Sequence, residues 1–149
     1  MLAGEHTMSD TQEKPRPRID DLTRPFWDAA KEHRLVIQRC QACSYFNHPP
    51  RQVCDTCHSG ELTFEQVSGR GTIYSFSVMH QPNVAGFANE LPYLNILIEL
   101  EEQQRLFLVS HLPDSEREHV QIGRNVEVYF EDVDAELTLP KFQLLDEHA

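Results

Sequence analysis

Hydrophobic positions along the chain change period twice. Residues 1–18 show no apolar periodicity and contain Pro15 and Pro17, the signature of a disordered leader. Met8 stands there as a second candidate start. Phe26, Ala29, Ala30 and His33 then recur at helical spacing, with Trp27 beside them. Thr23 is placed to cap this helix, and Pro25 is tolerated in its first turn. Residues 19–34 are therefore predicted as one short helical segment. So short a helix cannot bury itself, which makes it a docking helix against the rest of the chain or another subunit. For Phe26 and Trp27, core packing and a protein interface both remain open.

Beyond residue 34 the pattern becomes that of strands. They are expected over 35–39, 62–67, 72–79, 93–100, 105–111, 125–131 and 137–144. In 72–79 the apolar positions are Ile73, Phe76 and Val78, with Tyr74 able to serve either face. The run 93–100 is apolar enough for a central strand, whereas Pro140 consigns part of the last strand to an edge or bulge. Residues 68–71 and 101–104 read as turns, and 115–119 as a helical turn. Short strands with short connections favour a small closed antiparallel barrel, of which the OB-fold is the five-stranded form. The fold class is thus mainly β: a leader over 1–18, the helix over 19–34, a metal ribbon over 35–61, and a barrel over 62–149 with a short C-terminal tail.

The cysteines give the ribbon its chemistry. All four lie in Cys40-Gln-Ala-Cys43 and Cys54-Asp-Thr-Cys57, with ten residues between the pairs. Two Cys-x-x-Cys knuckles offer four thiolates to one tetrahedral ion, here with a shorter centre than the commoner zinc spacing. Zinc is expected, and iron in a four-sulfur site remains open. Disulfides are disfavoured because the N-terminus lacks the apolar region of a secretory signal, and a redox pair would not need a twin close by. His48 is read as exposed or packed within the loop rather than as a ligand. Pro49 and Pro50 stiffen the approach to the second knuckle. Arg51 beside them suits a phosphate or carboxylate, or else screens the thiolate charge.

Charge narrows the function classes. The formal net charge is −11, with eight acidic and eight basic residues in 1–59 against sixteen and five in 60–149. Nucleic-acid surfaces need the opposite sign. An acidic surface serves solubility or meets a basic partner. No apolar run approaches a membrane span, and the cytoplasm is the expected compartment. There is no Gly-x-Ser-x-Gly and no phosphate loop, and pairs such as Glu101/Glu102 and Asp132/Asp134 fall at turns or strand ends. His80 and His111 follow strands, where packing or exposure is the expected role. With all four cysteines on a metal no thiol nucleophile remains, so catalysis by the chain itself is not expected.

One resemblance covers roughly residues 22–143. The cysteine knuckles with Pro49-Pro50-Arg51, then Ser68-Gly69-Arg70-Gly71-Thr72-Ile73-Tyr74, Leu91-Pro92-Tyr93, Ile122-Gly123 and Leu139-Pro140-Lys141-Phe142, together look like the DUF35 family. The resemblance implies a rubredoxin-like zinc ribbon joined to an OB-fold. It also implies a small accessory subunit of a thiolase-fold enzyme acting on acyl-CoA, a thiolase, acyltransferase or aldolase, plausible in breakdown of an aromatic or steroid compound. The catalytic residues then belong to a thiolase-fold dimer in a hetero-oligomer. On this reading Cys40, Cys43, Cys54 and Cys57 hold zinc, Arg51, Arg70, Phe46 and Phe87 border an acyl-CoA channel, and Phe26, Trp27, Pro49 and Pro50 meet the partner. Ser44 and His58 depart from the glycine usual after a knuckle, where the backbone prefers a left-handed turn. The alternatives are a stand-alone acyl-CoA binder, or a single-stranded nucleic-acid-binding OB-fold using Tyr74, Phe76, Tyr93 and Phe107 for stacking.

Overall fold

A computed structural model describes residues 14–80, 86 and 90–145. One helix, α1 (Arg24–Lys31), precedes two antiparallel sheets. It is shorter than its sequence pattern, and its ends explain why. Thr23 occupies the N-cap but makes no side-chain cap. The Asp20 carboxylate instead accepts the amides of Leu22 at 3.1 Å and Thr23 at 3.0 Å. The Thr23 amide is the main cause holding the Asp20 carboxyl below its ordinary range. At the other end His33 turns left-handed, with φ 59°. The His33 and Arg34 amides close back on Ala30 and Ala29 at 2.8 and 3.0 Å, as in a Schellman stop. Phe26, Ala29 and Ala30 are buried as their spacing predicts. His33 leaves that face: its ring stacks on Phe130, and Nε2 lies 2.9 Å from Asp132.

The first sheet comprises β1 (Val36–Cys40), β2 (Phe46–Asn47) and β3 (Leu62–Gln66), in the order β2-β1-β3. The barrel was expected to begin at residue 62, the first residue of β3; β3 pairs with β1 along its whole length, from Val36 opposite Gln66 to Cys40 opposite Leu62, and so extends the first sheet. Apolar pattern alone identifies a strand but not its partner.

The second sheet is the OB-fold: β4 (Arg70–Met79), β5 (Tyr93–Leu100), β6 (Phe107–His111), β7 (Asn125–Asp132) and β8 (Thr138–Leu144), in the order β6-β5-β4-β7-β8. A 3-10 helix, Asp114–His119, connects β6 to β7 where a helical turn was predicted. The register of β4 slips at Tyr74, so that Ile73 faces Ile98 but Ser75 faces Leu97. This bulge reconciles odd-numbered Ile73 with even-numbered Phe76 and Val78 as one face of the strand. Only Ile73 is fully covered; Phe76 and Val78 remain 40% and 45% exposed. β8, with Pro140, is an edge strand, in line with the sequence. Among the described residues no helix is long and apolar enough to cross a membrane.

One hydrophobic cluster joins all three parts. Phe26 of α1, Ile37 and Phe46 of the ribbon, and Ile73, Ile96, Ile98, Val126 and Phe142 of the barrel pack together. Of the expected leader, residues 1–13 and the tail from 146 lie outside the described residues. The remaining part of the expected leader, residues 14–18, has no regular secondary structure. They run along the barrel, with Lys14 2.7 Å from Glu90 and Arg16 2.9 Å from Asp134. Opposite charges on the barrel account for this path.

Candidate metal centre and partner surface

The two knuckles are the same turn built twice. In the first, the Ser44 amide donates to the Cys40 carbonyl and the Cys40 amide to that of Tyr45, both at 2.9 Å. In the second, His58 donates to Cys54 and Cys54 to Ser59, again at 2.9 Å. Ser44 and His58 take left-handed φ angles of 68° and 64°, so the positions where glycine is usual do hold the glycine conformation.

These turns aim four sulfurs at one point. Cys40 Sγ lies 3.6 Å from Cys57 Sγ, and Cys43 Sγ 3.6 Å from Cys54 Sγ. All four lie within 4.8 Å of one another. A tetrahedral ion with metal–sulfur bonds of about 2.3 Å places its sulfurs about 3.8 Å apart, so the donor set fits. The cysteines are free thiols, and their separations far exceed a disulfide bond of about 2.0 Å. Their electrostatics also call for a cation. Burial raises the Cys54 thiol, yet the amides of Cys57 and Thr56 and the Asn47 side chain outweigh it and bring it down to about 6. The Cys43 amide leads the causes that lower Cys40. The Tyr45 amide favours a Cys43 thiolate, but burial and the three neighbouring sulfurs together push that thiol up to about 12. Four thiolates this close cannot coexist without an ion to neutralise them. Among the described residues no other cluster of this kind occurs.

Three amide side chains, which the sequence reading missed, hold the ribbon in place. Gln38 is buried and bonds both main-chain groups of Arg51, at 2.8 and 2.9 Å. Gln103, at the β5–β6 turn, does the same for Phe46, at 2.8 and 2.9 Å. Asn47 accepts the Asp55 amide at 3.1 Å beside the second knuckle. A glutamine inside the apolar run of β1 was the available signal, because a buried amide implies a specific partner.

The predicted contact residues separate. Phe46 is buried under the Arg39 guanidinium, 4.6 Å above its ring, and packs in the core. Arg51 is half exposed and pairs with Asp55 at 3.4 Å. Arg70 borders a cavity of about 390 Å³ with Glu99 and Glu101, which Arg51 does not line. Phe87 lies outside the described residues. The four residues predicted for a partner interface, Phe26, Trp27, Pro49 and Pro50, line one apolar groove of about 430 Å³. Phe26 itself is buried, with Trp27 edge-on at 5.0 Å. His48 is a loop-packing residue there, its ring 5.5 Å from Phe26; burial lowers its pKa to about 4. A larger cavity, about 600 Å³, opens at the barrel end between Tyr93, His111, Tyr129 and Leu137 beneath residues 14–17. His111 thus borders the barrel mouth, its Nδ1 3.1 Å from the Leu94 carbonyl oxygen.

Known proteins share this architecture. Residues 27–63 match the rubredoxin-like zinc ribbon domain of ChsH2, and residues 64–131 its C-terminal OB-fold domain. A probable enoyl-CoA hydratase alpha subunit of Thermomonospora curvata is 40% identical over 87% of this chain. A 3-oxo-4,17-pregnadiene-20-carboxyl-CoA hydratase alpha subunit of Mycobacterium tuberculosis is 36% identical over 78%. The chain spans only 40% and 36% of those two relatives' lengths. A DUF35 domain-containing scaffold protein of Methanocaldococcus jannaschii is 34% identical, over 74% of this chain and 78% of its own. Among solved structures, a chain of the Ltp2-ChsH2(DUF35) aldolase superposes with a TM-score of 0.75 at 38% identity, covering 87% of this chain and 98% of that one. With its two knuckles, its ribbon sheet and its five-stranded barrel matched in order, the chain belongs to the DUF35 family, as a ChsH2-type zinc ribbon followed by an OB-fold.

Proposed function

We propose that the chain is a non-catalytic accessory subunit of a thiolase-fold enzyme that acts on acyl-CoA, acting in the cytoplasm, where thiolates stay reduced. The observation that carries this reading is the likeness over nearly the whole of the DUF35 chain in an aldolase complex. The metal centre supports it from the other side: a site closed by four cysteines leaves no open coordination position for substrate. Zinc is the ion that suits four thiolates in a tetrahedron; its role is to hold the loop 44–53. Phe26, Trp27, Pro49 and Pro50 form the docking surface, while Arg51 and Arg70 are the cations offered toward an acyl-CoA channel at the joint. The steroid-CoA relative makes a bulky polycyclic acyl group the first substrate class to try.

The test is co-expression with a thiolase-like protein, size-exclusion chromatography of the mixture, and assay of the enzyme with and without this chain. Co-elution with raised activity or stability is expected. Separate elution with unchanged activity refutes the reading.

A further inference from the structure

Asn47, in the two-residue strand β2, is only 1% exposed, and only one end of its carboxamide is accounted for. Oδ1 accepts the Asp55 amide at 3.1 Å. A main-chain N–H can only donate, so this contact fixes which way the carboxamide points. Nδ2 is the other corner. It is buried and makes no well-formed hydrogen bond among the described residues. A buried donor without an acceptor is costly and uncommon, so its partner is to be sought close by.

The second knuckle supplies that partner. Asp55 directly follows Cys54 in the chain, so the Oδ1 contact holds the carboxamide against this turn. The Cys54 sulfur already accepts the Thr56 amide at 3.4 Å, and the Asn47 side chain favours its thiolate over its thiol. Cys54 is fully buried, whereas Cys43 and Cys57 are exposed. Water can therefore solvate the outer two sulfurs but not this one, and its donors have to come from the protein. A thiol is a weak acceptor; hydrogen bonds to an ionised group are the strong ones. We infer that Asn47 is a positioning residue of the metal centre, its Nδ2–H donating to the Cys54 sulfur when that sulfur is a metal-bound thiolate. The bond draws negative charge from the buried sulfur, and with the Asp55 contact it ties β2 to the second knuckle. The inference concerns the metal centre alone and does not rest on the accessory-subunit reading.

The test uses the full-length chain labelled with nitrogen-15 and loaded with cadmium-113. A hydrogen bond to a metal-bound sulfur passes scalar coupling from the metal to the donated proton. The expected result is coupling at one Asn47 side-chain proton and at the Thr56 amide. Coupling at Thr56 without coupling at Asn47 would overturn the inference. Two variants read the consequence, with cobalt(II) as the probe ion. Asn47→Asp keeps an acceptor for the Asp55 amide, and Asn47→Leu keeps the side chain neutral; the donor is the one feature that both lack. Both should move the sulfur-to-cobalt charge-transfer band to lower energy and weaken cobalt binding about tenfold or more. A shift in Asn47→Asp alone would assign the effect to charge, and a shift in Asn47→Leu alone to the lost Asp55 contact. Either of these, or no shift in both, overturns the inference. The cadmium measurement needs no variant and stays decisive should one of them fail to fold.

Discussion

Replacing Ser44 and His58 by glycine should strengthen the metal centre. Both residues sit at φ values near +65°, 68° and 64°, where a side chain crowds its own main chain. That conformation costs a non-glycine residue roughly 1–2 kcal/mol. Neither side chain makes a hydrogen bond among the described residues, and both are exposed, so little is lost on removal. The contacts of the turn are main-chain ones: the Ser44 and His58 amides on the knuckle carbonyls, and Arg39 Nε on the Ser44 carbonyl at 2.9 Å. Glycine keeps all of them. Against the relief stands the added freedom of an unfolded glycine, about 0.4–1 kcal/mol. The net gain is roughly 0.5–1 kcal/mol per site, or about 2–4 °C of melting temperature per kcal/mol in a chain of this size. The two sites share one ion, so the double variant need not be additive. Thermal unfolding of the metal-loaded protein reads the gain, and the rate of metal loss to excess chelator should fall in parallel. A Ser44→Gly variant that melts lower and releases metal faster would refute the argument from backbone strain.

Other outcomes follow from the same geometry. Cys54→Ser should lose the bound metal and the amide protection of residues 40–61 by hydrogen exchange, while the barrel strands keep theirs; retained metal content would exclude a four-thiolate site. Gly71→Ala should destabilise the barrel by about 2–3 kcal/mol, because its methyl would overlap the Glu99 carbonyl across the β4–β5 ladder; denaturant titration measures it, and an unchanged midpoint would rule out this register. His48 should make stability fall as pH drops. Its folded pKa of about 4 lies below the ordinary 6.5, so the unfolded chain takes up the proton first. The contribution is complete above about pH 6.5 and declines toward pH 4, by at most about 3 kcal/mol. His48→Phe should flatten that decline in denaturant midpoints at pH 7 and 5, and an identical decline in both proteins would clear His48 of the effect.

Local signals in the sequence were enough for the elements and for the metal ligands. Cys-x-x-Cys spacing names four sulfurs because each knuckle is a contiguous turn, and the apolar run over 93–100 names a central strand because β5 has neighbouring strands on both edges. Partnerships between distant segments were less legible. Leu62–Gln66 carries no mark that sends it to β1 instead of β4. The β4 bulge is visible only as a change of parity between Ile73 and Phe76, which a reader without the Ile98 and Leu97 pairings cannot assign. Loop aromatics look alike in sequence whether they point outward or, like Phe46, beneath an arginine and into the core. Gln38 and Gln103 escaped notice for a related reason: their value lies in main-chain partners 13 and 57 residues away.

Those two glutamines also bear on what the metal does. The segment from Pro49 to Arg51 is fixed from three sides: by the knuckles at its ends, by Gln38 on the Arg51 main chain, and by His48 packed on Phe26. Ordering a loop on binding costs about 0.5–1.5 kcal/mol for each immobilised side chain. A loop already ordered escapes most of that cost. If this segment docks on an enzyme, as proposed, the metal acts on affinity and geometry and not on bond making. Its removal should then weaken the complex while leaving the barrel's core, Ile96, Ile98, Val126 and Phe142, in place. A scaffold of this design separates the two tasks physically. On the proposed reading, the barrel supplies stability through burial, and the ribbon supplies a surface whose shape is set before a partner docks.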